Sequence, residues 1–162
     1  MIRQLHKRLD SAQVTDLFSR AADYVQLETG QTPDAAQTID FFTEAPPGID
    51  PGTSLHFGHF EHGELIAMAS VAFGFPNPYD AYIGLLLIDP EHRGKRLGQQ
   101  MLDHICQAAK ARKATRILIA VLELNPKGHR FWSKMGFIEE RRGPPKQIGL
   151  KTHVQIRMAK SL

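Results

Sequence analysis

One stretch constrains the fold more than any other. It runs Leu85-Leu86-Leu87-Ile88-Asp89-Pro90-Glu91-His92-Arg93-Gly94-Lys95-Arg96-Leu97-Gly98-Gln99-Gln100-Met101-Leu102. An apolar run of strand length stops at Asp-Pro, passes through a short basic turn, and continues as a helix. Leu97, Met101, Ile105, Ala108 and Ala109 share one face of that helix, which spans about 96–112. At a helix start several backbone N–H groups lack intrahelical partners and the dipole is positive, so a pyrophosphate satisfies both. Gly94 permits a tight turn, and Gly98 lets a ligand or strand come close to the helix backbone. Arg93, Lys95 and Arg96 add charge-assisted bonds. The spacing is neither that of a P-loop nor that of the dinucleotide-binding fingerprint.

Around this centre the periodicity alternates between helix and strand. Ile2 to Arg8 reads as an edge strand. Val14, Leu17, Phe18, Ala21 and Val25 follow helical spacing behind an N-cap at Asp10 or Ser11. Thr32-Pro33 opens a second helix with Ala36, Ile39 and Phe41 or Phe42 inward. Ser54 to Phe60 and Leu65 to Phe75 form a hairpin around Glu61-His62-Gly63-Glu64, and Tyr82 to Ile88 is the next strand. Arg116 to Leu124 is nearly all apolar, which places it centrally in a sheet. Asn125-Pro126 starts a short helix that Gly136 stops, and Ile148 to Met158 reads as a last strand. This order predicts one α/β domain over residues 1–162, a mixed sheet with helices on both faces.

Composition supplies the partner class. Of the 20 Lys and Arg residues, 16 lie after Glu91, where only 4 of the 17 Asp and Glu residues lie. Such asymmetry points to a polyanion, and a phosphorylated cofactor serves as well as nucleic acid. No apolar run is long enough to cross a bilayer, and Met1 to Asp10 carries no signal-peptide core. The single cysteine, Cys106, precludes an intrachain disulfide and suits a reducing compartment, so a cytoplasmic location is expected. His56, His59 and His62 are three apart, but His56 and His59 point to opposite faces of a strand, so no metal is expected there.

The central stretch resembles the cofactor signature of the GNAT superfamily of N-acetyltransferases, Arg/Gln-x-x-Gly-x-Gly/Ala after an apolar strand end. Arg93 and Gly98 fit its first and last positions, and Leu86-Leu87-Ile88-Asp89-Pro90 fits the strand end. Arg96 stands where the family has its central glycine, a departure that right-handed helical φ/ψ at this residue would accommodate. A second run, Asn125-Pro126-Lys127-Gly128-His129-Arg130-Phe131-Trp132-Ser133-Lys134-Met135-Gly136-Phe137, is similar to the family's Asn-x-x-Ala-x-x-Phe-Tyr-x-x-x-Gly-Phe.

The resemblance implies the GNAT-like acyl-CoA N-acyltransferase fold, a mixed, mostly antiparallel sheet with a splayed parallel strand pair. It implies acetyl-CoA as cosubstrate and direct attack of an amine on the thioester. Leu86, Leu87 and Ile88 would meet pantetheine and acetyl, and a backbone N–H near Ile88 would polarise the carbonyl. Arg93, Gly94, Lys95, Arg96, Leu97, Gly98 and Gln99 would meet the pyrophosphate. Asn125, Gly128 and Phe131 would form the far wall, although Asn125 is equally suited to capping its helix. Tyr82 stands where many members have a glutamate, and Trp132 where many have a tyrosine acid. Tyr82 is then a candidate acid and Glu123 a candidate base acting through water. Because those two positions differ, a non-catalytic acyl-CoA-binding or regulatory module is the alternative. The implied acceptor is an amine of a small molecule or peptide, with Glu44 and other acids lining its mouth. Nucleic acid and membrane are not expected partners, and a homodimer is a form common in the family.

Overall fold

The structure is a computed structural model that describes residues 1–162. The elements in chain order are β1 (Ile2–Gln4), α1 (Lys7–Arg20), α2 (Ala22–Thr29), α3 (Ala35–Thr43), β2 (Leu55–Glu61), β3 (Glu64–Phe73) and β4 (Asp80–Ile88). They continue as α4 (Leu97–Ala111), β5 (Arg116–Leu122), α5 (Pro126–Lys134), β6 (Ile138–Arg142), β7 (Lys146–Ile148), β8 (Lys151–His153) and β9 (Gln155–Ser161). Seven strands form one sheet in the order β1-β2-β3-β4-β5-β9-β6, and β7 pairs with β8 in a separate hairpin. Every neighbour in the large sheet is antiparallel except β4 and β5.

Helices cover both faces. On one, Leu5 and Val14, Leu17 and Phe18 of α1 pack on Leu65, Met68 and Leu87, with Phe41 and Phe42 of α3. On the other, Met101, Leu102 and Ile105 of α4 and Trp132 of α5 pack on Ala67, Ala69, Val71, Ile117 and Ile119. Strand β3 thus serves both layers, and its alanines let α4 approach the sheet closely.

The parallel pair is short. Asp80 to Ile83 align with Arg116 to Ile119, and pairing ends there. Just beyond, Ile83 faces Val71 while Leu85 faces Ser70, which leaves Gly84 unmatched as a bulge. A bulge bends its strand and increases local twist. Past it, β4 stays with β3 through Ile88, and β5 stays with β9 through Leu122. The two central strands therefore diverge.

Local differences from the sequence expectations have identifiable causes. Only Ile2–Gln4 pairs as a strand, because α1 already begins at Lys7 behind His6. Asp10 lies inside the first turn, where its carboxylate accepts from the His6 N–H at 2.7 Å and pairs with Arg3. The second expected helix starts behind Asp34 rather than Thr32, with a reciprocal capping box to Gln37. The terminal region holds four strands in place of one. Helix α5 ends as expected at Gly136: the Phe137 N–H donates to the Trp132 carbonyl and the Gly136 N–H to that of Ser133.

Candidate active site

The divergence of β4 and β5 opens a cleft of about 1140 Å³. Gly84 to Ile88 form one wall and Ile119 to Leu122 the other. Segment 92–99 and α5 close one end, while Asp23, Tyr24, Leu27 and Glu28 of α2 border the other side. In the closed end of the V, Asp80 and Arg116 join the strands, with Oδ2 and Nη2 at 2.9 Å.

The basic turn is held from behind. Asp89 is 3% exposed, accepts from the Glu91 N–H at 2.8 Å and pairs with Arg20 of α1. Helix α4 then starts without a side-chain cap, so its first N–H groups open on the cleft beside Arg93 and Arg96. Lys127 and Lys134 border the same cleft from α5. Uncapped donors and several cations in one place form an anion seat.

Arg96 departs from expectation. Its φ is 62° and its ψ 12°, the left-handed region, instead of the right-handed helical geometry that would make glycine dispensable. The chain thus keeps the backbone shape of the glycine position and adds a cation there. Arg93 is also engaged differently. Its Nε donates to the Ile88 carbonyl at 3.2 Å, and its Nη2 to Asp23 of α2 at 3.0 Å. That ion pair spans the cleft rim and holds the Asp23 carboxyl below its ordinary range.

The structure brings Leu86, Leu87, Ile88, Arg93, Gly94, Arg96, Leu97, Gly98, Gln99, Asn125, Gly128 and Phe131 together around this cleft. Lys95 lies in the same turn but does not line it. Gly98 meets no strand: a Cβ there would lie 2.9 Å from the Phe131 ring, so the close approach is made by α5. Asn125 caps α5, its Oδ1 accepting from the Gly128 N–H at 3.0 Å while the residue also lines the cleft. Asn125→Ala is expected to cost ~1 kcal/mol, read as a lower urea midpoint, and Asn125→Asp to cost less because the acceptor remains.

Tyr82 lines the cleft near its closed end, 5.4 Å edge-on to Phe75. Burial pushes its phenol up against the opposing charge of Arg157, so it holds its proton near neutrality. Glu123 does not line the cleft. It follows β5 in the turn, where Arg142 Nη1 donates to it at 2.8 Å on an exposed surface. Trp132 is buried between Phe131 and Phe137, ring centroids 4.9 and 5.0 Å away, and so serves as wall and core together.

The sequence pattern of the acetyltransferase (GNAT) family matches residues 14–137. This chain belongs to that family. Membership carries acyl transfer from an acyl-CoA, and the splayed strands ending on an anion seat are the corresponding geometry. Solved structures agree in fold. An acetyltransferase from Thermus thermophilus superposes with a TM-score of 0.80 at 22% identity, over 100% of this chain and 97% of that one. The ribosomal-protein-S18-alanine N-acetyltransferase from Escherichia coli gives 0.72 at 16%, over 99% and 92%. The IAA acetyltransferase from Bacillus cereus ATCC 14579 gives 0.70 at 14%, over 100% and 99%. No curated protein matches the chain in sequence.

The residues that sequence reasoning missed are those of α2. Tyr24 and Glu28 are four apart, as are Asp23 and Leu27, so they share the second face of a helix read only for its apolar stripe. That i, i+4 repeat of mixed aromatic, acidic and apolar residues is the signal that could have found them. No helix of the chain is long and apolar enough to cross a membrane.

Proposed function

We propose that residues 1–162 form one N-acetyltransferase domain that moves the acetyl group of acetyl-CoA onto an amine by direct attack. The observation that carries this reading is the V between β4 and β5. It begins at the Gly84 bulge and runs to the basic start of α4. Each strand keeps its outer partner there and loses its inner one, so an amide-bearing chain can lie against freed backbone while its phosphates reach the helix start. Arg96 and Lys127 are available to the phosphates at once, since neither takes part in an ion pair of the protein. Arg93 joins them by exchanging Asp23 for phosphate.

Amine attack needs a neutral nitrogen, and departure of the thiolate needs only modest help because a thiol has a pKa of roughly 8.5. Tyr82, protonated near neutrality, can supply the proton to sulfur. The differing residues at Tyr82 and Trp132 favour one competing reading, an acyl-CoA-binding module without turnover. Thermal shift with acetyl-CoA and CoA, followed by thiol release across a panel of small and peptide amines, separates the two. We expect acetyl-CoA at 100 times its Kd to stabilise the chain by ~2.7 kcal/mol and at least one amine to release thiol. Stabilisation without thiol release would favour the binding module, and no stabilisation would reject both.

A further inference from the structure

Only two carboxylates border the cleft, Asp23 and Glu28. Asp23 is committed to Arg93. Glu28 forms no ion pair with any cation of the protein; its side-chain partner is the Tyr24 hydroxyl, which donates to Oε2 at 3.0 Å. Burial, reinforced by the Glu28 charge, pushes the Tyr24 phenol far up, so Tyr24 keeps its proton and spends it on Glu28. The pair is also fixed in space. Tyr24 packs with Leu85 of β4 against the cluster that contains Val25 and Leu87. His153 of β8 is 1% exposed, and its Nε2 donates to the Glu28 backbone carbonyl at 2.7 Å. The Leu150 N–H donates to the Thr29 carbonyl at 2.8 Å, so the β7–β8 hairpin holds the whole end of α2.

A carboxylate that borders the cleft with one neutral donor and no counter-ion lacks a cation. We infer that Glu28, positioned by Tyr24, receives the proton of the acceptor ammonium and holds the amine at the thioester. The inference rests on the acetyltransferase reading above. The ammonium loses one proton to Glu28, and the freed nitrogen attacks the carbonyl carbon. The C–N bond forms and the C–S bond breaks, with its electron pair leaving on sulfur. That sulfur takes the Tyr82 proton to give CoA thiol, the second nitrogen proton restores Tyr82, and the proton on Glu28 returns to solvent. Glu123 and Tyr82 do not compete for this role. Glu123 is outside the cleft, and Tyr82 near neutrality is a donor.

The groups that bear on Glu28 are Tyr24 on its own helix, Glu44 beyond α3 and His153 of β8, which meets its backbone carbonyl. Glu44 is raised by its own burial and by the charges of Asp40 and Glu28, with Lys146 opposing. The test is thiol release from acetyl-CoA and the best amine of the panel, measured from pH 5 to 10, with acetyl-CoA binding followed by calorimetry. Glu28→Gln is expected to lower kcat/KM for the amine ~100-fold and leave acetyl-CoA affinity within about twofold. Its residual rate should climb steadily with pH as the amine deprotonates unaided. Tyr24→Phe keeps the packing and removes the donor, so kcat/KM for the amine should fall ~10-fold while acetyl-CoA affinity and melting temperature stay near wild type, which loss of stability alone would not produce. Asp103→Asn, on the exposed face of α4 and away from the cleft, is the control expected to leave that rate in place. Wild-type turnover with Glu28→Gln unchanged, or with Tyr24→Phe as active as wild type, overturns the inference and leaves acetyl transfer standing. A wild-type chain that binds acetyl-CoA and acetylates no amine overturns both.

Discussion

Asp80→Ala should lower stability by about 3 kcal/mol, because it strands a cation at the closed end of the β4–β5 wedge. Asp80 is 4% exposed and meets Arg116 through two bonds, Nε to Oδ1 at 3.0 Å and Nη2 to Oδ2 at 2.9 Å. Asn77 donates a third, at 3.0 Å. Arg116 retains Glu140 at 2.8 Å, which moderates the loss. For a chain of this size the melting temperature should fall roughly 6–12 °C. The pH dependence follows from the sign of the shift. The Arg116 hydrogen bond first, then Asn77, hold the Asp80 carboxyl below its ordinary range against the upward push of burial. A depressed carboxyl stabilises the fold at all pH above its unfolded value, about 3.9, and ceases to as pH falls through the folded value. The stability difference between wild type and Asp80→Asn should therefore be flat above roughly pH 5 and close in the acid range. Urea titrations at pH 7, 5 and 3 would measure it, and an equal difference at all three would reject the account.

Gly98→Ala should weaken both the fold and the cofactor seat. The new Cβ would lie 2.9 Å from Cε2 and Cζ of Phe131, closer than real side chains approach. That ring packs edge-on to Trp132, and Trp132 in turn to Phe137, so it gives way toward the cleft at the expense of that contact. Overpacking of this kind costs about 1–3 kcal/mol. The displaced ring also borders the cleft, so acetyl-CoA affinity should drop on the order of tenfold, the equivalent of ~1.4 kcal/mol. Phe131→Leu in the same chain should restore much of the stability by making room for the methyl group. Calorimetric binding and melting of the two single variants and the double variant form the cycle. Additive losses would show that the two side chains do not collide.

The parts of the molecule that the sequence expressed clearly are those whose burial writes a pattern. Strands β4 and β5 are apolar runs, α4 carries a regular inward stripe, and α5 is bounded by Asn125 and Gly136. Strand β6, Ile138–Arg142, is exposed along its whole length and so has no alternation to read. The β7–β8 hairpin is three residues a side and mostly polar, held by hydrogen bonds to the end of α2 that lie more than a hundred positions away in sequence. The anion-seat side of the cleft was legible because it falls in two unbroken runs, 86–99 and 125–131. The α2 side was not, since the i, i+4 spacing of Tyr24 and Glu28 marks a second helix face without saying that it borders a gap between β4 and β5, far along the chain. Arg96 was misjudged for a backbone reason: residue types that tolerate left-handed φ leave little trace when a long cationic side chain occupies the position.

The β7–β8 hairpin lies outside the seven-stranded sheet and reaches the cleft only through its grip on α2. Changes in its length or composition therefore act on α2 and the Asp23–Arg93 pair while leaving the register of β4 against β5 in place. One rim of the cleft is thus set by side-chain contacts of α2 while the other is bound by the geometry of the sheet. Among chains of this architecture, variety in what is acylated should accumulate in α2 and this hairpin, while the acyl donor stays the same.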